Sequence, residues 1–434
     1  MNLPLNRRQF LTRSTFAAAG VWLTSSAQAV VSPNERLNLG IIGTAHRAGD
    51  DLHHVSSENI VALCDVDANY LAAAKMNYPK AATYRDFRKM LERSDLDAIV
   101  IGTPDHTHAV TAVASLQSGR HVYCEKPLAH TVSEARRISE VAKQYNRVTQ
   151  LGTQIHSTNN YRRVVEEIKK GVIGAVSEVH VWVDAVYTGT GLPTEKPPVP
   201  LGLDWDLWLG PAEMRPYSPE YVPKHWRCWW DFGGGTMSDF GCHYMDLPHW
   251  ALDLRYAESV STEGPPLSPF CCPQWMTARF AYPARGEKPP VKLTWYQGVK
   301  DGNKKNRPAD FDSGGLPEWG NGILFKGEKG MLLADYWKYV LLPEKDFPAP
   351  PVSSRKDNDY ETEHHQEWIR AIKTGGTTSC NFDYSGALSE TVLLGNAAFR
   401  SGGAIQWDPA TLKAAGNPRA EEYIQHHYRK GWSI

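Results

Sequence analysis

Between residues 37 and 151, short apolar runs alternate with helical stretches, and this alternation limits the fold more than any other feature of the chain. Runs at 37–42, 60–63, 98–101, 121–124 and 148–151 have the Val, Ile and Leu content of buried strands. The stretches at 68–78, 108–118 and 131–145 between them have helical periodicity. Parallel strands need crossovers of this length, and the crossover helices cover both faces of the sheet. Ligands of such folds bind at the carboxyl ends of the strands. The unusual polar residues of this half of the chain fall at those ends.

The first run leads into Gly40-Ile41-Ile42-Gly43-Thr44-Ala45-His46-Arg47-Ala48-Gly49. A dinucleotide fold needs a tight turn here, so that backbone N–H groups at a helix N-terminus can meet a pyrophosphate. Gly43, Thr44, Ala45, His46 and Arg47 are therefore the expected cofactor loop. The Gly-x-Gly-x-x-Gly pattern would need glycine at 43, 45 and 48, and the chain has alanine at the last two. Alanine disfavours positive φ, so the turn must be looser or differently built at Ala45. Asp65 closes the second run about 20 residues on, placed to accept the ribose hydroxyls of NAD and to repel the 2′-phosphate of NADP. No arginine follows it directly. The next ends carry Thr103-Pro104-Asp105-His106-Thr107-His108 and Cys124-Glu125-Lys126-Pro127. A lysine at the end of a buried strand is costly unless it has a partner or a task.

After Gly152 the pattern changes. A helix is expected over 159–170, ending at Gly171, and 176–184 alternates with Val179, Val181 and Val183 on one face and His180, Trp182 and Asp184 on the other. That reads as a half-buried antiparallel strand. A proline-rich loop at 193–200 and a Trp, Pro and Tyr-dense stretch at 202–230 follow, then alternating runs such as 291–296 and 330–334, and helices at 363–372 and 388–399. A chain of 434 residues is too long for one ordinary core. The expected organisation is α/β: a Rossmann doubly wound parallel sheet over 30–152, and over 153–434 an α+β domain with an open, mainly antiparallel sheet.

Residues 1–29 read as a leader. Arg7-Arg8 precede an apolar run at 16–23 that is too short to span a bilayer, and Ala27-Gln28-Ala29 offers a small-x-small cleavage site. This resembles a twin-arginine export signal, so a periplasmic or otherwise exported mature protein is expected. No later stretch has the length and apolarity of a membrane helix. The 47 Lys and Arg against 48 Asp and Glu leave a formal charge of -1, which argues against nucleic acid as a partner. Seven cysteines show no Cys-x-x-Cys spacing, and Cys64 and Cys124 read as small buried hydrophobes.

Residues 233–246 supply the remaining chemistry: Gly233-Gly234-Gly235-Thr236-Met237-Ser238-Asp239-Phe240-Gly241-Cys242-His243-Tyr244-Met245-Asp246. A glycine turn feeds a helix on which Asp239 and His243, four apart, share a face, so the carboxylate is expected to orient the imidazole. With the loop at Gly43, Asp65, the Thr-Pro-x-x-x-His and Glu-Lys-Pro motifs, this stretch resembles the glucose–fructose oxidoreductase, inositol dehydrogenase and MocA-type superfamily over nearly the whole mature chain. The resemblance implies catalysis by Lys126, Asp239 and His243, and a cofactor lined by Thr103, Pro104, His108 and Glu125. It also implies a carbohydrate substrate and a homo-oligomer, dimer or tetramer, often formed through the open sheet. The chemistry agrees: oxidising an alcohol needs a base at the hydroxyl, assigned to His243, and a donor to the developing alkoxide, assigned to Lys126.

His156, His225 and Arg227 are the expected substrate contacts. The 15 tryptophans offer flat faces for a sugar ring, or core. A metal on His243, Asp246 and His249 is disfavoured by their spacing before and after Pro248, and none is expected. The reading is an NAD-dependent oxidoreductase acting on a sugar hydroxyl with a tightly held nicotinamide. The alternative is a redox-neutral glycosidase or keto-sugar lyase similar to the family-109 glycosidases. Their Tyr-x-His reads Val181-Trp182-Val183 here, which disfavours it. A non-catalytic sugar binder would have no need of the Lys126, Asp239 and His243 set.

Overall fold

Six strands, β1 (Asn38–Ile42), β2 (Asn59–Cys64), β3 (Ala82–Tyr84), β4 (Ala98–Ile101), β5 (His121–Glu125) and β6 (Thr149–Gly152), pair in parallel in the order β3-β2-β1-β4-β5-β6. The order reverses on either side of β1, and the ligand crevice of a doubly wound sheet opens at that point. The computed structural model describes residues 35–300, 302, 304–311, 316–347 and 359–434; the leader read at 1–29 lies outside them.

Side chains along these strands alternate between two cores. Leu39, Ile41, Leu63 and Val100 pack on one face with Trp368, Ile369 and Ile372 of the helix Tyr360–Thr374, while Ile42, Ile99 and Ile101 pack on the other with the helices His108–Gln117 and Val132–Gln144. Burial on both faces is why these strands read as near-continuous apolar runs. The helix Tyr360–Thr374 begins before the stretch expected for it, and the helix expected over 388–399 spans Phe382–Ser401.

The second sheet has the order β14-β13-β12-β7-β10-β9-β8-β15-β16, with β11 on β10. Its strands are β7 (Val176–Val183), β8 (Ser259–Glu263), β9 (Trp275–Tyr282), β10 (Val291–Lys300), β11 (Lys304–Lys305), β12 (Gly322–Gly327), β13 (Met331–Ala334), β14 (Tyr339–Leu342), β15 (Ile405–Asp408) and β16 (Lys413–Ala415). All its pairs are antiparallel except β7 with β10. β7 is not the half-buried antiparallel strand its alternation suggests. Val179, Val181 and Val183 face the main core, and Trp182 on the other face packs with Phe311, Leu316 and Leu324. The indole N–H of Trp182 donates to the Trp319 carbonyl at 3.1 Å. A segment from far along the chain folds over that face, which periodicity within β7 cannot report. Among the described residues no helix is long and apolar enough to cross a membrane.

Candidate active site

A cleft of about 1080 Å³ runs along the carboxyl ends of β1, β2, β4 and β5 and beneath residues 186–228. At its cofactor loop the missing glycines are replaced by two other devices. The left-handed turn is made by Gly43 (φ 86°) and His46 (φ 56°), so Ala45 need not adopt positive φ. Close helix packing is supplied from β4's end: a Cβ on Gly102 would lie 2.6 Å from the Cβ of Ala48. Asp65 faces the cleft, but its Oδ2 accepts from the backbone N–H and hydroxyl of Thr44, both at 2.9 Å, and its Oδ1 from the Asp67 N–H at 2.9 Å. It holds the loop in shape as well as presenting a carboxylate, and burial pushes its pKa up. Arg85, reached from the end of β3, joins this edge; it was not apparent from sequence. Its Nη2 donates to the carbonyls of Val66 and Gly202, the latter at 2.7 Å.

Arg47 and Glu125 also line the cleft, inside a partly buried charge network. The Arg47 guanidinium donates to Asp51 at 2.9 Å and Glu361 at 3.1 Å and lies 3.4 Å from Glu125. Gln154 donates to Glu125 at 2.5 Å. Burial, reinforced by Asp51, pushes the Glu125 carboxyl up to about 8. Thr103 and Pro104 lie in the cleft wall, whereas His108 does not. It is buried behind the wall, its ring nitrogens 2.7 Å from the carbonyls of Pro127 and Thr103. Burial lowers its pKa to about 4, so the neutral ring has one N–H and donates to one carbonyl at a time. The expectation of a cofactor contact is corrected: His108 ties two strand ends together from outside the cleft.

At the other end of the cleft, Lys126 donates to Asp239 Oδ1 at 2.6 Å and to the Asp239 carbonyl at 2.9 Å, and Arg227 Nε donates to the same Oδ1 at 3.0 Å. Burial pushes the Asp239 carboxyl up, but Lys126 and Arg227 together outweigh it and hold it well below the usual carboxylate range. Asp105 lies in the same wall. Burial raises it to about 8 despite Arg227.

This arrangement overturns the pairing of Asp239 with His243. The two do share a helix face, but the carboxylate is taken by two cations, which bind it more strongly than a neutral ring. His243 Nδ1 instead meets the Thr153 hydroxyl at 3.0 Å, and that hydroxyl also lies 3.0 Å from the Cys242 carbonyl. A hydroxyl has one proton. Donating it to the carbonyl, Thr153 must accept from Nδ1–H, which leaves Nε2 as the basic nitrogen. Burial, and then the charge of Lys126, push the His243 pKa well below 6.5, so the ring is neutral at neutral pH. Thr153 stands one residue past β6. The rule that function gathers at strand ends would have found it.

The glycine turn sets the helix Gly235–Tyr244 in place through space as much as dihedral freedom. Gly235 has φ 62°, and a Cβ on Gly234 would fall 1.9 Å from Ser238 Oγ and 2.4 Å from Asn396 Nδ2. Asn396 Nδ2 donates to the Gly234 carbonyl at 2.9 Å, fastening the turn to the helix Phe382–Ser401.

Of the expected substrate contacts, Arg227 lines the cleft and is paired with Asp239, its guanidinium 4.2 Å over the Trp226 ring. His225 is exposed in the cleft wall. His156 is elsewhere: 1% exposed, stacked on Trp250 at 3.9 Å, with Nδ1 2.9 Å from Asp246. The 3-10 turn Gln154–Ser157 carries it away from the cleft into a buried cluster, which corrects that expectation. Asp246 also accepts from the Tyr384 hydroxyl at 2.6 Å, and its carboxylate, His156 and Cys380 present donor atoms within 4.8 Å of one another. His249 is engaged separately, 2.7 Å from the Met245 carbonyl and 3.1 Å from the Tyr282 hydroxyl. The four tryptophans between 205 and 229 all pack in one buried cluster, with Trp205 and Trp208 stacked at 4.6 Å.

Two family models match the chain: "Oxidoreductase family, NAD-binding Rossmann fold" over residues 37–153, and "Oxidoreductase family, C-terminal alpha/beta domain" over residues 159–284. A glycosyl hydrolase family 109 protein of Shewanella pealeana is 29% identical over 206 residues, 40% of this chain and 44% of that protein. An inositol 2-dehydrogenase of Salmonella paratyphi B is 33% identical over 151 residues, 33% of this chain and 45% of that protein. The chain thus matches less than half the length of each of these curated relatives. Among solved structures, the WlbA dehydrogenase of Bordetella pertussis in complex with NADH and UDP-GlcNAcA shares the fold with a TM-score of 0.59 at 18% identity, covering 86% of this chain and 99% of that one.

Proposed function

This chain belongs to the Gfo/Idh/MocA oxidoreductase family, with an NAD-binding Rossmann fold, and from that premise we propose that it oxidises a hydroxyl group of a sugar or sugar derivative. The observation that carries the reading is the reaction end of the cleft, where Lys126 and Arg227 share Asp239, with a neutral His243 one helical turn on from Asp239, behind the cleft lining, its Nε2 left unprotonated. The residues fit a dinucleotide: the Gly43 turn, the Asp65 carboxylate and the Thr103-Pro104 wall lie along one cleft. NAD, when bound there, supplies the hydride acceptor. His243 Nε2 takes the hydroxyl proton, and its ring is held in the right tautomer by Thr153. Lys126 turns its ammonium to the oxygen and favours the developing alkoxide. Arg227 stays on Asp239 while Lys126 does so, sparing the buried carboxylate from losing both partners.

A sugar as substrate is supported by the relatives, an inositol 2-dehydrogenase among them. Redox-neutral glycoside cleavage is the second reading, favoured by the match to a glycosyl hydrolase family 109 protein. Against it, Val181 and Val183 point into the core. Export through the twin-arginine route, cleavage after Ala29 and a homo-oligomeric mature protein complete the proposal. Fusing residues 1–36 to a reporter and changing Arg7 and Arg8 to Lys tests the route; cytoplasmic retention of the changed fusion is the expected outcome.

The deciding experiment is purification without added cofactor, a test for bound NAD, then addition of inositol, levoglucosan, free aldoses and aryl glycosides. Stable reduction of the nicotinamide supports oxidation. Glycoside cleavage with no net absorbance change supports the second reading, and no binding of NAD even when it is supplied overturns both.

A further inference from the structure

The adenosine end of the cleft, marked by Asp65, has a second wall that the Rossmann fold does not supply. Residues 200–210 cross from the second domain and are stitched to the loop after β2 by main-chain bonds. Gly202 O accepts from the Ala68 N–H at 2.9 Å and from Arg85, Asp204 N–H donates to Val66 O at 2.9 Å, and Leu203 bridges Asp67. This crossing is pinned in turn by residues 428–432. Arg429 donates to the Gly210 carbonyl at 2.8 Å and the Asp206 carbonyl at 3.0 Å, and its N–H to Pro211 O at 3.0 Å. Trp432 lies against Phe87, ring centroids 6.1 Å apart, beneath the Arg88 guanidinium at 4.6 Å. Leu203, Phe87 and Trp432 all face the cleft.

We propose that residues 200–210, locked by Arg429 and Trp432, form a strap across the adenosine end of the cleft that retains the dinucleotide through turnover, with Trp432 offering its face to the adenosine. This rests on the nicotinamide-binding reading above. The strap is held by main-chain bonds together with the Arg85 and Arg429 guanidinium groups, so it opens only by breaking several bonds together. Dissociation of the dinucleotide then becomes slow without any change in the groups that do the chemistry. A resident cofactor also suits an exported protein, which carries its nucleotide out with it.

The test follows release of NAD from the purified full-length holoprotein into an enzymatic trap for free NAD. Trp432→Ala and Arg429→Ala are expected to speed release by about ten-fold or more, with added NAD still rebinding. Met76→Ser, at a 78% exposed residue outside the strap, is expected to leave the rate unchanged. Folded Trp432→Ala and Arg429→Ala variants releasing NAD at the wild-type rate would overturn the strap. Failure of the wild-type chain to bind NAD at all would overturn the nicotinamide reading instead. Should the variants not fold, amide exchange on the wild-type protein decides. The Ala68 and Asp204 amides should gain protection when NAD is bound, and no gain would sink the proposal.

Discussion

The two ends of the cleft are built from different materials. At the adenosine and pyrophosphate end the structure relies on backbone: a turn at Gly43 and His46, contact of Ala48 with Gly102, and peptide groups bonded across from residues 200–210. At the reaction end it relies on charge, with one carboxylate oxygen held by two cations and a histidine kept neutral by burial. Backbone contacts set how long a ligand stays; preorganised charges set how fast a bond breaks. Changes at the two ends should therefore separate retention from rate.

The largest separation is expected from His243→Ala. Loss of the base should lower the rate of hydride transfer by about 10²–10⁴ while bound NAD stays the same, read by single-turnover absorbance on protein of measured NAD content. Near-normal turnover would remove His243 from the chemistry. A smaller effect, about ten-fold in kcat with KM unchanged, is expected from Thr153→Val, which keeps the ring but frees its tautomer. At the other end the order should invert. Gly102→Ala drives a methyl into Ala48 and should lower stability by about 1–3 kcal/mol and weaken NAD binding, with little effect on single-turnover rate at saturating NAD.

A separate effect, on stability and not on rate or retention, is a pH dependence from Glu125, which borders both ends. Its carboxyl has an ordinary value of 4.5 and is raised by burial to about 8 in the folded chain. Between those values the folded chain binds more protons than the unfolded one, so stability should fall as pH rises through that window. Glu125→Gln should flatten the fall in Tm; an unchanged slope would show that Glu125 does not titrate there.

The cofactor end was the more legible of the two in sequence, because strand runs and the residues that close them are local. Asp65 and the turn at Gly43 were placed by their strand ends alone. The reaction end was legible in its membership but not in its pairing. Asp239 and His243 are neighbours on one helix, yet the choice of partners is made by Lys126, Arg227 and Thr153, brought in from other segments. His156 misled for the converse reason: it follows β6 closely, but one 3-10 turn rotates it into the core against Trp250. The strap left no mark in sequence, since backbone carbonyls bonded to distant N–H groups need no particular side chain; Arg85 was missed because its partners are such carbonyls.

The central claim is that the charged end of this cleft oxidises a sugar hydroxyl using NAD held along its other end. Its most direct test is to bind NAD to wild-type and His243→Ala proteins, add inositol, levoglucosan or free aldoses, and follow nicotinamide absorbance through one turnover. In the wild-type protein the bound cofactor should be reduced by at least one of these compounds, and in a His243→Ala protein still holding its NAD by none on that timescale. Equal rates of reduction in the two proteins would contradict it.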